Sequence, residues 1–260
     1  MSNVVIIGAA GMLGYALRQR FPEAKCFDSA ANEEQGITYI DITERKTVEQ
    51  ELSGLEKRTI ILNASAYTRV DDAEINPGDL QSLLTNVNGP RNLANMAREN
   101  NLRCIHYSTA YVFHGLTGDY AEDGETKPMN AYGSHKLRGE KIMLGADSLV
   151  LRTDCLYGPQ GQKNIVDTIA RNAQEKEMIS GVRDQIGCPT LTTTLARMTA
   201  ELMDRWDKGN IQGHQIFHTV SRGSCTRAQL AEKIISALNL SCRVESMTTA
   251  QYNEKYRNLQ

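Results

Sequence analysis

Tyr132 and Lys136 stand four residues apart in the stretch Asn130-Ala131-Tyr132-Gly133-Ser134-His135-Lys136. If the chain is helical there, as Lys136-Leu137-Arg138-Gly139-Glu140-Lys141-Ile142 reads, both side chains share one face. A phenol beside an ammonium is a proton-donor device, because the positive charge favours the phenolate. The spacing alone describes a solvated helical pair equally well. Its meaning depends on what the rest of the chain brings beside it.

The elements that would position this pair begin at the amino terminus. Val4-Val5-Ile6-Ile7 is a β-branched run without alternation, the pattern of a strand buried on both faces. Gly8-Ala9-Ala10-Gly11-Met12-Leu13-Gly14 follows, then a helical pattern through Phe21. Glycines in that place allow a tight turn and a close backbone approach to a pyrophosphate at the helix amino terminus. Lys25-Cys26-Phe27-Asp28 reads as a second strand ending in an acid. A carboxylate there can hold the adenosine ribose hydroxyls and repels a 2′-phosphate, which leans toward NAD over NADP. A plain surface aspartate is the alternative at this point.

Thr38-Tyr39-Ile40-Asp41-Ile42-Thr43 reads as a short strand passing into a helix capped near Asp41 or Thr43. Thr59-Ile60-Ile61-Leu62 is another buried strand, ending in Asn63-Ala64-Ser65-Ala66, where small residues let a cofactor lie against the backbone. Pro77 to Asn100 reads as a long helical stretch with a break or kink at Gly89-Pro90. Arg103 to Tyr107 is a fifth strand, ending at Ser108-Thr109, and Ser148 to Arg152 a sixth. Strands alternating with helices predict an α/β protein with a Rossmann-like, doubly wound parallel sheet. Ligands on such sheets sit beyond the carboxyl ends of strands, where Gly8, Asp28, Ala64, Ser108 and Thr109 all fall. After Tyr157-Gly158-Pro159 the pattern loosens, with helix, the stretch Asp184 to Thr190, further helix, and a strand at Gln215 to His218. The expected organisation is a dinucleotide-binding domain over residues 1–155 and a mixed, smaller C-terminal substrate lobe over 156–260, interleaved with it.

Composition narrows the class. With 29 basic and 31 acidic residues and no long basic run, nothing points to a nucleic-acid partner. The six cysteines are scattered without a Cys-x2-Cys pair, which suggests neither a disulfide framework nor a zinc site and fits a reducing compartment. His106, His114, His135, His214 and His218 have no ligand spacing, so no metal is assigned. Absence of a charged leader with a cleavage site, and of any apolar run long enough to span a bilayer, predicts a soluble cytoplasmic protein without a membrane partner.

Taken together these segments resemble the extended short-chain dehydrogenase/reductases, and within them the dTDP-4-dehydrorhamnose reductases. The residues that carry the resemblance are Gly8 to Gly14, Asn63 to Glu74, Tyr107-Ser108-Thr109-Ala110-Tyr111-Val112-Phe113, Tyr132 to Lys136, Gly139-Glu140 and Asp184 to Thr190. The resemblance implies hydride transfer from NADPH or NADH to the C4 ketone of a sugar nucleotide. Thr109, Tyr132 and Lys136 would be catalytic. Gly8, Gly11, Met12, Leu13, Gly14, Asp28, Asp41, Ile42, Ala64, Ser65 and Ala66 would hold the cofactor together with Tyr132 and Lys136. Thr109, Ala110, Cys155, Gln185, Pro189 and Thr190 would face the substrate. Oligomeric state stays open, with a homodimer among the options.

The chain departs from the family pattern on the substrate side. Ala110 stands where the family carries an aspartate, His114 where it carries an aspartate or a small residue, and Asp154-Cys155 where it carries serine and tryptophan. The chain ends at Gln260, where family members continue into a further helix of the substrate lobe. Two other readings follow from those departures: another sugar-nucleotide enzyme of the epimerase or dehydratase type, or a regulatory subunit that binds a dinucleotide without turnover. Retention of Thr109, Tyr132 and Lys136 favours the reductase. Arg152 reads as one half of a structural ion pair, and Cys155 as a small buried filler.

Overall fold

The structure, a computed structural model, describes residues 2–75, 80–159 and 164–256. The first elements in chain order are β1 (Val4–Ile7), α1 (Met12–Arg20), β2 (Lys25–Asp28), β3 (Ile37–Tyr39), α2 (Arg45–Leu52) and β4 (Ile60–Asn63). Next come α3 (Val70–Ile75), α4 (Leu80–Leu83), α5 (Gly89–Asn100), β5 (Arg103–Thr109), α6 (Ala131–Met143) and β6 (Ser148–Thr153). The remainder holds β7 (Leu156–Tyr157), α7 (Ile165–Glu175), β8 (Met178–Val182), β9 (Ile186–Gly187), β10 (Thr190–Leu191) and α8 (Thr192–Asp207). It closes with β11 (Gln215–His218), β12 (Cys225–Thr226), α9 (Arg227–Ala237), β13 (Arg243–Met247) and α10 (Thr249–Tyr256).

Seven strands form one parallel sheet in the order β11-β6-β5-β4-β1-β2-β3. The expected Rossmann-like architecture is therefore present. Strand order reverses between β1 and β4, so the crevice for a ligand opens beyond the carboxyl ends of those two strands. Both faces of the sheet are covered, which explains why its strands read as continuous apolar runs. Val5, Ile7, Ile61, Cys104 and Val150 belong to one cluster with Val48 and Leu52 of α2 and Leu93, Ala94 and Ala97 of α5. Ile6, Leu62, Ile105 and Leu149, alternating with them, are equally buried and point to the other face.

The chain divides into two units. Residues 1–153 and 192–219 form the first, and residues 154–191 and 220–260 the second. The first segment of the first unit ends at Thr153, and α8 and β11 return to that unit. β11 returns because it completes the large sheet, pairing with β6 from Gln215 against Leu149 to His218 against Arg152. Among its described residues the second unit carries three two-stranded pairings: β7 with β10, β9 with β12, and β8 with β13. Its helix α9 starts on a capping box between Thr226 and Gln229.

Two local features differ from the sequence reading. Helix α2 begins after Glu44, not at Asp41 or Thr43; the Asp41 carboxylate instead accepts the Thr43 N–H at 2.9 Å and stabilises the turn before the helix. The expected kink at Gly89-Pro90 is a π-helical turn over Leu84–Asn88. Proline has no N–H for the carbonyl four residues back and collides with it, and widening the preceding turn resolves both problems. The proposed start of that helix at Pro77 lies outside the described residues. No helix among the described residues is long and apolar enough to cross a membrane.

Candidate active site

The glycine turn is built as its sequence requires. Gly8 has a φ of +83°, and a Cβ there would stand 2.5 Å from the Ser65 backbone nitrogen. Only glycine lets the end of β1 lie against the Ala64-Ser65 segment at the end of β4. A Cβ on Gly14 would meet the Gly8 carbonyl oxygen at 2.0 Å, so α1 too sits directly on the turn. Gly11 caps α1 without a side-chain bond, and the first turn contains no acid. A helix amino terminus of this kind favours an anion. Met12 and Leu13 open the helix, with Leu13 buried.

Asp28 closes the turn from the side. Its Oδ2 accepts the Ala10 N–H at 3.0 Å and its Oδ1 the Ala30 N–H at 2.9 Å. The acid at the strand end is therefore tied to the glycine turn. Ile42 is a core residue packed on Gly89, where a Cβ would come within 2.4 Å of its Cδ1. Ala64, Ser65 and Ala66 follow β4 as half-buried positions, and the Ser65 N–H donates to Asn63 Oδ1 at 3.3 Å.

Helix α6 places the pair that opened the sequence. Asn130 caps it, its Oδ1 accepting the Gly133 N–H at 2.7 Å. Tyr132 and Lys136 lie on the same buried face, 8% and 1% exposed, so the solvated-pair reading falls away. The first turn of α6 is pressed on the single turn after β5: a Cβ at Gly133 would stand 2.2 Å from the Tyr111 carbonyl oxygen. The rings of Tyr111 and Tyr132 meet edge to face, with centroids 5.9 Å apart. The same Tyr111 donates its N–H to Thr109 Oγ1 at 3.2 Å. One residue thus ties Thr109 to Tyr132. Thr109 also caps the turn, yet as acceptor its hydroxyl keeps a proton to donate.

Lys136 is engaged with β5. Its Nζ donates to the Tyr107 carbonyl at 2.6 Å and lies 3.5 Å from His106 Nε2. Burial lowers its pKa to about 8, against an opposing pull from Glu140. Glu140 itself forms a bidentate pair with Arg152, at 3.0 and 2.9 Å, both side chains almost fully buried. Arg152 is therefore the structural ion-pair partner the sequence suggested. Tyr107 donates to or accepts from Thr199 Oγ1 at 2.9 Å and is a packing group.

The substrate-side candidates fall on both sides of the chain's division. Thr109 and Ala110 belong to the first unit; Cys155, Gln185, Pro189 and Thr190 belong to the second. Ala110 is exposed beside Thr109. Cys155 is not a plain filler: it adopts a left-handed φ of +47°, and its Sγ accepts from Arg227 Nη1 at 3.0 Å. Gln185 is exposed and donates to Thr249 Oγ1 at 3.2 Å. Pro189 is half-buried, while Thr190 is buried with its hydroxyl shared between the Cys188 carbonyl and the Ser221 N–H. That hydroxyl holds the loop together.

The polar groups beneath the site are not legible from residue type or spacing. Asn63 and His106 are register partners on β4 and β5 and bond through Nδ2 and Nδ1 at 3.0 Å. Asn86 in the π-helical turn holds the loop after β4, bonding both the N–H and the carbonyl of Tyr67 at 3.2 and 3.0 Å. Only the Pro90 signal marked that turn, and nothing in sequence marked what Asn86 would reach. Among the described residues no group of three or more His, Cys, Asp or Glu could hold a metal ion.

Over residues 1–258 the chain matches the family described as the RmlD substrate binding domain. The chain belongs to this family. RmlD proteins are extended short-chain dehydrogenase/reductases, a sugar-nucleotide reductase family dependent on NAD(P). Among curated relatives, the chain is 35% identical to a dTDP-4-keto-6-deoxy-D-glucose reductase from Streptomyces niveus, over 87% of this chain and 75% of the relative. It is 30% identical to a dTDP-4-dehydrorhamnose reductase from Aggregatibacter actinomycetemcomitans, over 97% and 86%. Among solved structures, a Bacillus anthracis dTDP-4-dehydrorhamnose reductase in complex with NADP superposes with a TM-score of 0.82 at 32% identity, covering 97% of this chain and 86% of that one.

Proposed function

We propose that this chain reduces the C4 ketone of a nucleoside-diphosphate 6-deoxysugar with a reduced nicotinamide dinucleotide. The observation that carries the reading is the Thr109–Tyr111–Tyr132 arrangement, which sets a hydroxyl donor and a phenol on either side of one residue. The glycine turn fits the cofactor: Gly8, Gly11 and Gly14 leave the backbone bare, and α1 starts at Gly11 without a side-chain cap. Asp28 would hold the adenosine ribose, and Lys136 the nicotinamide ribose. When bound, the cofactor supplies a hydride to the ketone carbon.

This chain's residues do the rest. Thr109 donates its hydroxyl hydrogen to the ketone oxygen and stabilises the charge that develops there. Tyr132 transfers its phenolic proton to that oxygen, which leaves an alcohol and a phenolate. The Lys136 ammonium stabilises the phenolate until a solvent proton restores it. Relatives named as dTDP-4-keto-sugar reductases support a dTDP-linked substrate.

The test is oxidation of NADH and NADPH by the purified chain with a panel of dTDP- and other nucleoside-diphosphate 4-keto sugars. Tyr132→Phe should lower turnover by about 10²- to 10⁴-fold. Cofactor binding with no oxidation on any substrate would reverse the reading in favour of a regulatory subunit.

A further inference from the structure

Beneath Tyr132 lies a buried polar chain that ends at Lys136, and the proposed chemistry uses only that lysine. Asn63, His106 and Lys136 follow one another, with His106 and Asn63 wholly buried and Lys136 nearly so. The amide of Asn63 has a defined orientation. Its Oδ1 accepts the Ser65 N–H at 3.3 Å, so its Nδ2 must face His106 Nδ1, 3.0 Å away. A nitrogen that accepts from an amide carries no proton. Neutral His106 therefore bears its proton on Nε2. That edge faces Lys136 Nζ at 3.5 Å. His106 stays neutral, since burial and the adjacent Lys136 both hold its pKa well below the ordinary value.

The consequence is a directional contact. An ammonium at Lys136 places donor against donor at His106, while its remaining hydrogens serve the Tyr107 carbonyl. A neutral amine would accept the Nε2–H. The imidazole thus opposes the charge that Tyr107 and Glu140 favour. Other groups around α6 do not share this contact. The π-helical turn and α4 bring no ionisable side chain. The charges of α3 (Asp71, Asp72, Glu74) and of α5 (Arg91, Arg98, Glu99) are exposed. From β6, Arg152 is engaged by Glu140, and from the turn after β5, Tyr111 faces Tyr132.

We propose that His106, oriented by Asn63, is a positioning residue for Lys136: its Nε2–H edge sets where the amine sits and opposes the ammonium form. The inference rests on reading Lys136 as part of a proton-delivery site, and it adds the group that governs that lysine. A lysine poised in this way can pass an ammonium proton to the Tyr132 phenolate after each turnover and regain one from solvent, which a permanently charged lysine cannot.

The test needs no substrate. Nitrogen-15 NMR of histidine in the full chain should show His106 as the Nε2–H tautomer; an Nδ1–H tautomer overturns the proposal. In His106→Gln the new amide can turn its oxygen to the ammonium, so the Lys136 titration, followed by carbon-13 at Cε, should move up by about one pH unit or more. His106→Asn, which keeps a partner for Asn63 but lacks the facing edge, should move it in the same direction. A Lys136 titration unchanged in either folded variant also overturns the proposal. If wild type oxidises no cofactor with any 4-keto sugar while the titration still follows residue 106, the proposed function fails and this inference stands.

Discussion

Lys136 on α6 donates to the Tyr107 carbonyl of β5 at 2.6 Å, and this bond seats the lysine under the tyrosine four residues before it. The bond is made in a fully buried place, and that has a measurable cost. Burial lowers the pKa of Lys136 to about 8 from an ordinary 10.5. Between those values the unfolded chain binds more protons than the folded one, so this group makes stability rise with pH. Its penalty is complete below pH 8 and relieved toward 10.5. Relative to Lys136→Met, wild type should therefore gain stability as pH rises through that window. Denaturant midpoints of both proteins at the two ends of the window measure it, and a constant difference would contradict the assignment.

Thr109 has two duties that substitution can separate. Its hydroxyl accepts the Tyr111 N–H, and in the proposed reaction it donates to the ketone oxygen. Thr109→Val should lower kcat by about 10²- to 10³-fold, with a stability loss of about 1 kcal/mol. Thr109→Ser should restore most of both. Steady-state kinetics and thermal denaturation of the two variants distinguish a donor from a simple cap.

Asp28 should set cofactor preference. Its carboxylate is tied to Ala10 and Ala30 and stands at the carboxyl end of β2, where a 2′-phosphate would be repelled. The chain is expected to bind NADH more tightly than NADPH, although a relative was solved with NADP. In Asp28→Asn the preference should narrow by about tenfold, one like-charge contact being worth about 1 kcal/mol or more. Fluorescence titration with each nucleotide reads this without substrate.

Glu140 and Arg152 should couple strongly. Both are buried and paired by two hydrogen bonds, and Arg152 also lies over the Phe113 ring at 5.0 Å. Glu140→Ala leaves a buried guanidinium uncompensated and should cost about 3–5 kcal/mol. Replacing Glu140 and Arg152 together by apolar residues should cost less than the single change. A double-mutant cycle by chemical denaturation gives the coupling.

Local sequence determined much of this protein. Val4 to Ile7, Thr59 to Leu62 and Arg103 to Tyr107 announce buried strands because both faces of the sheet are covered, and Gly8 to Gly14 announces the turn because only bare backbone fits there. The four-residue spacing of Tyr132 and Lys136 places them on one helix face through helical geometry alone. Tertiary structure decided the rest. Asn63 and His106 become partners only because β4 and β5 pair in one register, a relation between residues 43 positions apart. Residues 192–219 rejoin the first unit because β11 completes the sheet on β6. Cys155 turns to a left-handed conformation and meets Arg227 from a distant helix, so its residue type alone says nothing of its bond. Periodicity and turn chemistry act over a few residues and can be read along the chain. Which buried polar groups face each other is set by how strands and helices pack, and that information is carried by the assembled fold.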